Sequence, residues 1–571
     1  LQYIITHLKK IKEFNYLLEQ LKKSRETLVY GVSGSQKSLL TAALAADRER
    51  PLLYIVENPQ RGKEIFDDLN NLLPDWLIQY FPAFETLPFE VIAQSHETQR
   101  KRLEVLQNLV MNGKKHVVVA TWEALVKTLP APETFQRAMI TLKTGERAGI
   151  DKILKHLSSV GYQRVDMVED KGQISLRGGI LDIFSVTAEH PHRIEFFDDE
   201  IESIRFFSIE SQRSIEKTAE VTIAPAAEFF FWGHNAEEAL KRLRSEAQQL
   251  IKSMEKRGNI DGINYLTARM EEILEKIREN QYFPGFEQLQ PYFVQGKYSL
   301  LSYFREDPLI IMDEPNRQRE GALAREKEHQ ETYIALLEKG KVLPGQAANY
   351  FSWDELWETV KKKKPLFFSL LPKKPVGSET VNLVGVTAKT PSLFMGKTKL
   401  LADELKEWKR QKYGVLILVN SEERAERLRQ SLWDSGVEVS IAKRGAPLTL
   451  ENITVSFGYL TSGFEFTTWK VVVLTEHELY HQPKKRPPRK IFQEGKKVTV
   501  LEDLRIGDYV VHINHGIGRY MGIEKLAVGD AERDYLVLKY QGEDKLYVPT
   551  DQVGLLQKYF SQEGQVPKLS K

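Results

Sequence analysis

Residues 31–38 read GVSGSQKS, preceded by the apolar run TLVY (27–30) and followed by the helix-like stretch LLTAALAA (39–46). Strand, glycine-rich turn and helix in that order frame a phosphate loop, G-x-x-x-x-G-K-[ST]. In such a loop backbone N–H groups surround the phosphates, the lysine reaches the β and γ oxygens and the hydroxyl binds magnesium. Gly31, Gly34, Lys37 and Ser38 fit that frame, but Gln36 stands where the second glycine belongs. That glycine is what lets backbone approach phosphate with no side chain in the way. LIIMDEP (309–315) is a second half-signal. An apolar strand ending in Asp313 and Glu314 resembles the magnesium-binding and water-activating acidic pair of a nucleotide hydrolase, and two solvated turn carboxylates are the other reading of it.

Strand and helix patterns alternate through the first 125 residues: TLVYGV, a helix, PLLYIVE, a helix from Pro59 to Leu73, IQYFPA, a helix around ETQRKRLEVLQNLV, then HVVVAT. Alternation of this kind predicts a parallel sheet with crossover helices. From about residue 134 the pattern turns to hairpins, GQISLRGGILDIFSV and HRIEFFDDEIESIRFFSIE. A long polar helical section, 235–280, follows, and LLSYFREDPLIIMDEP returns to the buried-strand style. The expected architecture is a multidomain α/β chain: a parallel-sheet domain split in two (1–133 and 223–382), an inserted β-rich domain (134–222), a small α/β domain (383–482), a basic proline-rich linker (483–494) and a C-terminal SH3- or Tudor-like β-barrel (495–571). The small α/β domain has a strand, YGVLILVN, a capped helix, SEERAERLRQSLWDSG, and a further strand, WKVVVLTE. It has neither a phosphate loop nor a Q-x-x-G-R-x-x-R pattern. A motor needs a second domain whose arginine completes the site, so a complete ATPase is not expected.

A chain of 571 residues is too long for one core. Its 81 basic and 79 acidic side chains nearly cancel, so nucleic-acid or membrane binding, if present, is local. The absence of cysteine excludes disulfides, thiol nucleophiles and cysteine metal sites. No apolar run approaches a membrane span, the start LQYIITHLKK lacks a signal-peptide cleavage site, and a cytoplasmic protein is expected. Leu1 in place of Met is expected of a fragment.

The segment LRGGILDIFSVTAEHPHRIEFFDDEIESIRFF (176–207) resembles the UvrA-binding domain shared by the excision-repair helicase UvrB and the transcription-repair coupling factor, Mfd. GVSGSQKS, YSLLSYFREDPLIIMDEP and the long polar helix look like the split first domain of the same families. DYVVHINHGIGRYMGIEKLAVGDAERDYLVLKYQGEDKLYVPTDQVGLLQKY (508–559) is similar to the RNA polymerase-interacting domain of the coupling factor, which UvrB lacks. The resemblance covers nearly the whole chain and is weakest at 383–482. It implies the N-terminal half of a bacterial coupling factor: an adaptor that binds the β subunit of stalled RNA polymerase and recruits UvrA for nucleotide-excision repair. The family's translocase, which uses ATP and Mg2+ on double-stranded DNA, would begin where this sequence stops at QVPKLSK. No cofactor is expected for the span itself, because the family's first domain is a non-hydrolysing relative of the UvrB motor. The retained Lys37, Ser38, Asp313 and Glu314 leave weak nucleotide binding open.

Alternation in HRIEFFDD puts Arg193, Glu195 and Phe197 on one face and Ile194 and Phe196 on the other. The family's UvrA-contacting positions correspond to Arg177, Arg193 and Phe197. The plainer reading is that Phe197 caps a minor core and both arginines are merely solvated or paired with Glu195 and Asp199. Leu526 matches the family position that meets polymerase, and an ordinary core leucine is its other reading. Gly516, Gly518 and Gly522 suit turns and bulges. His512 and His515 lack a third ligand, so a structural role is expected of them and no metal site is. KKKKP (361–365) and PKKRPPRK (483–490) read as solvated loop and linker. Two rival functions stand beside the adaptor: a UvrB-like, damage-loading ATPase and helicase using Lys37 and Glu314, and a CarD-like transcription regulator acting through its barrel alone.

Overall fold

The computed structural model describes residues 2–22, 26–84, 96–111, 115–230, 236–279, 283, 285–378, 380–442 and 453–480, and five strands between 509 and 558. The chain forms two compact units, 1–484 and 485–571.

In the first unit, β1 (Thr27–Tyr30), β2 (Leu52–Val56), β3 (Leu77–Phe81) and β4 (His116–Thr121) alternate with helices Ser35–Arg48, Pro59–Leu72 and His96–Met111. The chain then builds β5 (Ile140–Lys143), β6 (Gln163–Arg164), β7 (Gln173–Arg177), β8 (Ile180–Ile183), β9 (His192–Phe197), β10 (Glu200–Phe207), β11 (Ser214–Thr218) and β12 (Glu220–Ile223). Strands β6 to β11 form one sheet in the order 11-10-9-8-7-6, and β5 pairs with β12. The chain afterwards re-enters the first sheet with β13 (Leu309–Asp313), β14 (Leu366–Ser369) and β15 (Asn382–Gly385), giving the seven-stranded order 15-1-14-13-2-4-3. Every pairing in that sheet is parallel. Crossover helices cover both faces of such a sheet, which is why β2 and β4 are buried along their whole length and read as continuous apolar runs.

The polar section after residue 235 differs from the expectation of one continuous helix. It is two helices, Ala236–Arg257 and Ile260–Arg278. Gly258 takes the left-handed φ of 70°, and the Asn259 side chain then caps the second helix by accepting from the Gly262 N–H.

A second α/β sheet follows: β16 (Ala388–Lys389), β17 (Gly414–Val419), β18 (Ser440–Ile441), β19 (Thr454–Phe457), β20 (Phe464–Phe466) and β21 (Val471–Leu474), in the order 16-20-21-17-19-18. Helix Glu422–Asp434 carries the expected cap, Ser421. This sheet does not stand on a core of its own alone. Leu416, Leu418, Phe464, Phe466 and Val471 join Val29, Leu40, Tyr54 and Val119 of the first sheet in one apolar cluster.

The second unit holds β22 (Tyr509–His512), β23 (Gly516–Val528), β24 (Ala531–Lys539), β25 (Lys545–Pro549) and β26 (Leu556–Lys558), all antiparallel, in the order 25-24-23-22-26. Val510, Tyr520, Leu536, Leu538 and Val548 are its buried centre. A bulge interrupts the register between Tyr520 and Gly522, where Gly522 takes a φ of 119°. The segment 483–494 and His515 lie outside the described residues.

Gly31 shows how closely the first sheet is packed at its mouth. Its φ is 85°, and a Cβ there would lie 2.3 Å from the Val386 carbonyl oxygen, which is backbone and cannot swing aside. Gly145 has a similar φ of 83° with nothing within 4 Å. Gly31→Ala is therefore expected to destabilise the protein by roughly 3 kcal/mol or more, against about 1–2 kcal/mol for Gly145→Ala. Thermal midpoints of the two variants check this, and equal losses would contradict it.

Candidate functional site

The phosphate-loop residues meet at the C-terminal ends of β1 and β13, where ligands of open parallel sheets bind. Helix Ser35–Arg48 begins just after Gly34, whose φ is 52°. Lys37 is buried and its ammonium ion-pairs with Asp313 and, at 2.9 Å, with Glu314. Arg61, from helix Pro59–Leu72, lies 3.3 Å from Asp313 and donates to the Gly34 carbonyl at 2.7 Å. Glu314 also accepts from the Leu370 N–H at 2.8 Å and the Ser369 hydroxyl at 3.0 Å. Burial alone would raise the Glu314 carboxyl, but Lys37 and these hydrogen bonds hold it below the usual carboxylate range.

Gln36 folds back over the loop, accepting from the Ser33 N–H at 2.9 Å. Ser38, the magnesium-binding hydroxyl of the motif, donates to Asp68 at 2.8 Å. At the N-terminus of helix Ser35–Arg48, the Ser35 N–H donates to the Ser462 hydroxyl at 3.1 Å, and the Ser462 N–H donates to the Ser35 hydroxyl at 3.0 Å. Asp68 accepts from the Thr461 N–H at 2.7 Å. Residues 461 and 462, between β19 and β20 of the second sheet, thus sit where a phosphate loop directs its donors. A Cβ on Gly34 would meet the Ser462 hydroxyl at 2.4 Å.

The structure brings Gly31, Gly34, Lys37, Ser38, Asp313 and Glu314 to one place, and adds Arg61, Asp68, Thr461 and Ser462, which sequence reasoning missed. Asp68 had a signal: it interrupts the buried stripe Gly62, Ile65, Leu69, Leu72 of its helix. Residues 461 and 462 had none, standing 427 positions from Ser35 at their farthest.

On the sheet of β6 to β11, strand alternation holds. Ile194 and Phe196 are buried and Phe197 is 76% exposed at the β9–β10 hairpin. The arginines take a partner that the plainer reading did not name. Arg193 grips Asp182 with two bonds, Nε at 2.7 Å and Nη2 at 2.8 Å, and Arg177 donates to the same carboxylate at 3.0 Å. Glu195 is taken by Arg205 and Ser203 instead. Register explains the choice, because Asp182 on β8 stands directly opposite Arg193 on β9. Arg177 and Phe197 reach solvent, while Arg193 is only 16% exposed.

Leu526 lies on β23 opposite Arg533; its side chain, like that of His512, lies outside the described residues. Strand β22 covers β23 only at Gly516–Arg519, so from Gly522 onward the described pairings of β23 run to β24 alone. The Lys361–Lys364 run is partly engaged, with Lys363 paired to Asp307 at 2.5 Å. Among the described residues no group of three or more His, Asp or Glu is placed to hold a metal, and no helix is long and apolar enough to cross a membrane.

Comparison with known proteins follows these surfaces. Residues 140–229 match the family profile of the UvrB interaction domain, and residues 504–560 that of the CarD-like/TRCF RID domain. The chain is 34% identical over 573 residues to the transcription-repair-coupling factor of Bacillus subtilis (strain 168), covering 100% of this chain and 48% of that protein. It is 31% identical over 567 residues to the factor of Staphylococcus aureus (strain Mu50 / ATCC 700699), covering 98% of this chain and 48% of that protein. The chain therefore spans about half the length of these curated relatives. A solved structure of S. tokodaii Xpd4, 10% identical with a TM-score of 0.19 over 78% of this chain and 79% of that one, is too distant to bear on the fold.

Asp68 supplies a pH test of this site. It is wholly buried, and burial pushes its carboxyl up to about 6 against the downward pull of Ser35, Thr461 and Ser38. A folded-state value above the unfolded one means the folded protein favours the proton, so stability falls as pH rises from about 4 through 6. Asp68→Asn is expected to match wild type near pH 4 and to have the higher thermal midpoint at pH 7.5. A lower midpoint for the variant at pH 7.5 would show that the charged form is the better partner.

Proposed function

We propose that this chain, the counterpart of the N-terminal half of transcription-repair coupling factors, is their adaptor: it binds stalled RNA polymerase through one domain and recruits UvrA through another for nucleotide-excision repair. The observation that carries this reading is the presence, in that order on one chain, of a UvrB interaction domain and a CarD-like/TRCF RID domain. In this reading the sheet of β6 to β11 is a UvrA-binding domain (134–222) inserted into a degenerate RecA-type domain (1–133 and 223–382). Residues 383–482 form a small α/β domain, and 495–571 an SH3- or Tudor-like barrel.

Both contacts have physical support. Phe197 and the half-exposed Arg177 are residue types enriched at protein interfaces. The stretch of β23 that carries Leu526 has described pairing on one side only, and a strand so placed accepts another by edge addition. The polymerase β subunit is the partner we assign to it. Such partners put the chain in the bacterial cytoplasm.

We further read residues 31–38 as needing no nucleotide. Lys37 is shared between two carboxylates, Ser38 is bound to Asp68, and Ser462 takes the helix N-terminus. A triphosphate with magnesium would have to displace all three. Translocation on double-stranded DNA with ATP and Mg2+ is a property of the family that no step here draws on.

The reading is tested on the whole chain. Phe197→Ala together with Arg177→Ala is expected to weaken UvrA binding at least tenfold with an unchanged thermal midpoint and undiminished capture of core RNA polymerase. Leu526→Arg is expected to do the converse, abolishing polymerase capture while UvrA still binds, so each variant controls for the folding of the other. Unaltered binding in both would refute the adaptor. DNA-stimulated ATP hydrolysis that disappears in Lys37→Ala would favour the UvrB-like helicase instead.

A further inference from the structure

We propose that Asp182 is a positioning residue for the UvrA-facing surface, a buried carboxylate that presents Arg177 to the partner without touching it; this rests on the UvrA reading above. Asp182 is 1% exposed, so a docked protein has no access to it. It stands on β8 between Ser175 of β7 and Arg193 of β9. A carboxylate withdrawn from water persists only when it is paired and hydrogen-bonded. Arg193 supplies the two-point grip from one side and Arg177 the third bond from the other.

The two arginines are not equivalent. A guanidinium has five N–H donors. Arg193 uses four bonds internally: two to Asp182, one from Nη1 to the Gln212 carbonyl at 3.1 Å and one from Nη2 to the Gln212 side chain at 3.3 Å. Its guanidinium also lies 4.5 Å from the Phe207 ring centroid. Five less four leaves a single N–H, too few for the bidentate capture of a partner carboxylate. Arg177 spends one Nη2 donor on Asp182 and is 51% exposed, so four of its five N–H groups remain for an acid, enough for bidentate capture.

The order of support is therefore Phe207 and Gln212 under Arg193, Arg193 under Asp182, and Asp182 under Arg177. Arg193 belongs to the foundation more than to the contact. The exposed elements, Arg177 with Ile180 and Phe197, fit a partner that offers a carboxylate beside an apolar surface. Holding Arg177 in one rotamer before docking removes an entropic cost of association, and that gain is expressed in the dissociation rate.

The test measures the kinetics of purified UvrA binding to the full chain for wild type, Asp182→Asn, Arg177→Ala and the double variant, with thermal midpoints alongside. Asp182→Asn is expected to raise the dissociation rate about tenfold. The association rate should not fall, since removing a carboxylate makes the surface more positive. In the Arg177→Ala background, Asp182→Asn should change the dissociation rate by less than twofold. A tenfold change in that background as well would mean that Asp182 acts otherwise than through Arg177, and an unchanged rate in the single variant would overturn the inference outright. Should Asp182→Asn fail to fold, Arg193→Lys, which keeps the charge but loses the two-point grip, carries the same expectations. Absence of binding by wild type would overturn the UvrA reading, and this inference with it; wild-type binding with an unchanged Asp182→Asn overturns the inference alone.

Discussion

The ammonium of Lys37 is buried, and an ammonium withdrawn from water must find anions. It finds them 276 and 277 residues farther along the chain, in Asp313 and Glu314. That single need ties the turn after β1 to the end of β13, and β13 pairs in parallel with both β2 and β14. Arg61 adds a second cation to Asp313 and hydrogen-bonds the Gly34 carbonyl. Removing Lys37 would take a cation from both Asp313 and Glu314 at once, and loss of one member of an interior ion pair is strongly destabilising. Glu314 pivots there with a left-handed φ of 45°, a backbone state held by the three groups that bond its carboxylate.

The same corner shows what surrounds Gln36, the residue that stands where a phosphate loop has glycine. A helix N-terminus with unsatisfied N–H groups attracts lone pairs and negative charge whatever their source. In this chain the source is protein: the Ser462 hydroxyl at the Ser35 N–H, and the Asp68 carboxylate beside Ser38. With those donors met from within, nothing requires backbone to lie bare at position 36, and the Gln36 amide closes over the loop. The second α/β sheet is thereby joined to the first by polar bonds as well as by the apolar cluster of Leu416, Phe464 and Val471 with Val29 and Leu40. The corner is an internal joint between the two sheets.

The two proposed binding surfaces use the two ways in which a sheet meets a partner. On the sheet of β6 to β11 the pleat sends alternate side chains outward, so a single hairpin displays Phe197 while Ile194 and Phe196 fill the core. On the second unit it is backbone that is offered, along the stretch of β23 that β22 leaves uncovered. The first surface gains specificity from side chains fixed by Asp182; the second gains affinity from main-chain hydrogen bonds that depend little on sequence.

Much of this was legible in the sequence. Apolar runs between helical segments predicted the parallel sheet, because period and burial are written locally, and the alternation in HRIEFFDD placed Phe197 outward. The section at 235–280 misread as one helix turned on Gly258 and Asn259, where a left-handed residue and a cap restart the backbone. By itself, then, the sequence determined β1 to β4 with the helices between them, the faces of β9, and the collection of Lys37, Ser38, Asp313 and Glu314 as chemistry to be accounted for. Tertiary structure alone decided what those groups do: that Lys37 is shared by two carboxylates, that Asp182 and not Glu195 holds Arg193, and that Thr461 and Ser462 close the loop. The reason is distance along the chain. Propensity and periodicity act over a few residues, whereas the partner of a buried charge or an orphaned N–H is chosen by whatever the folded chain brings within 3 Å.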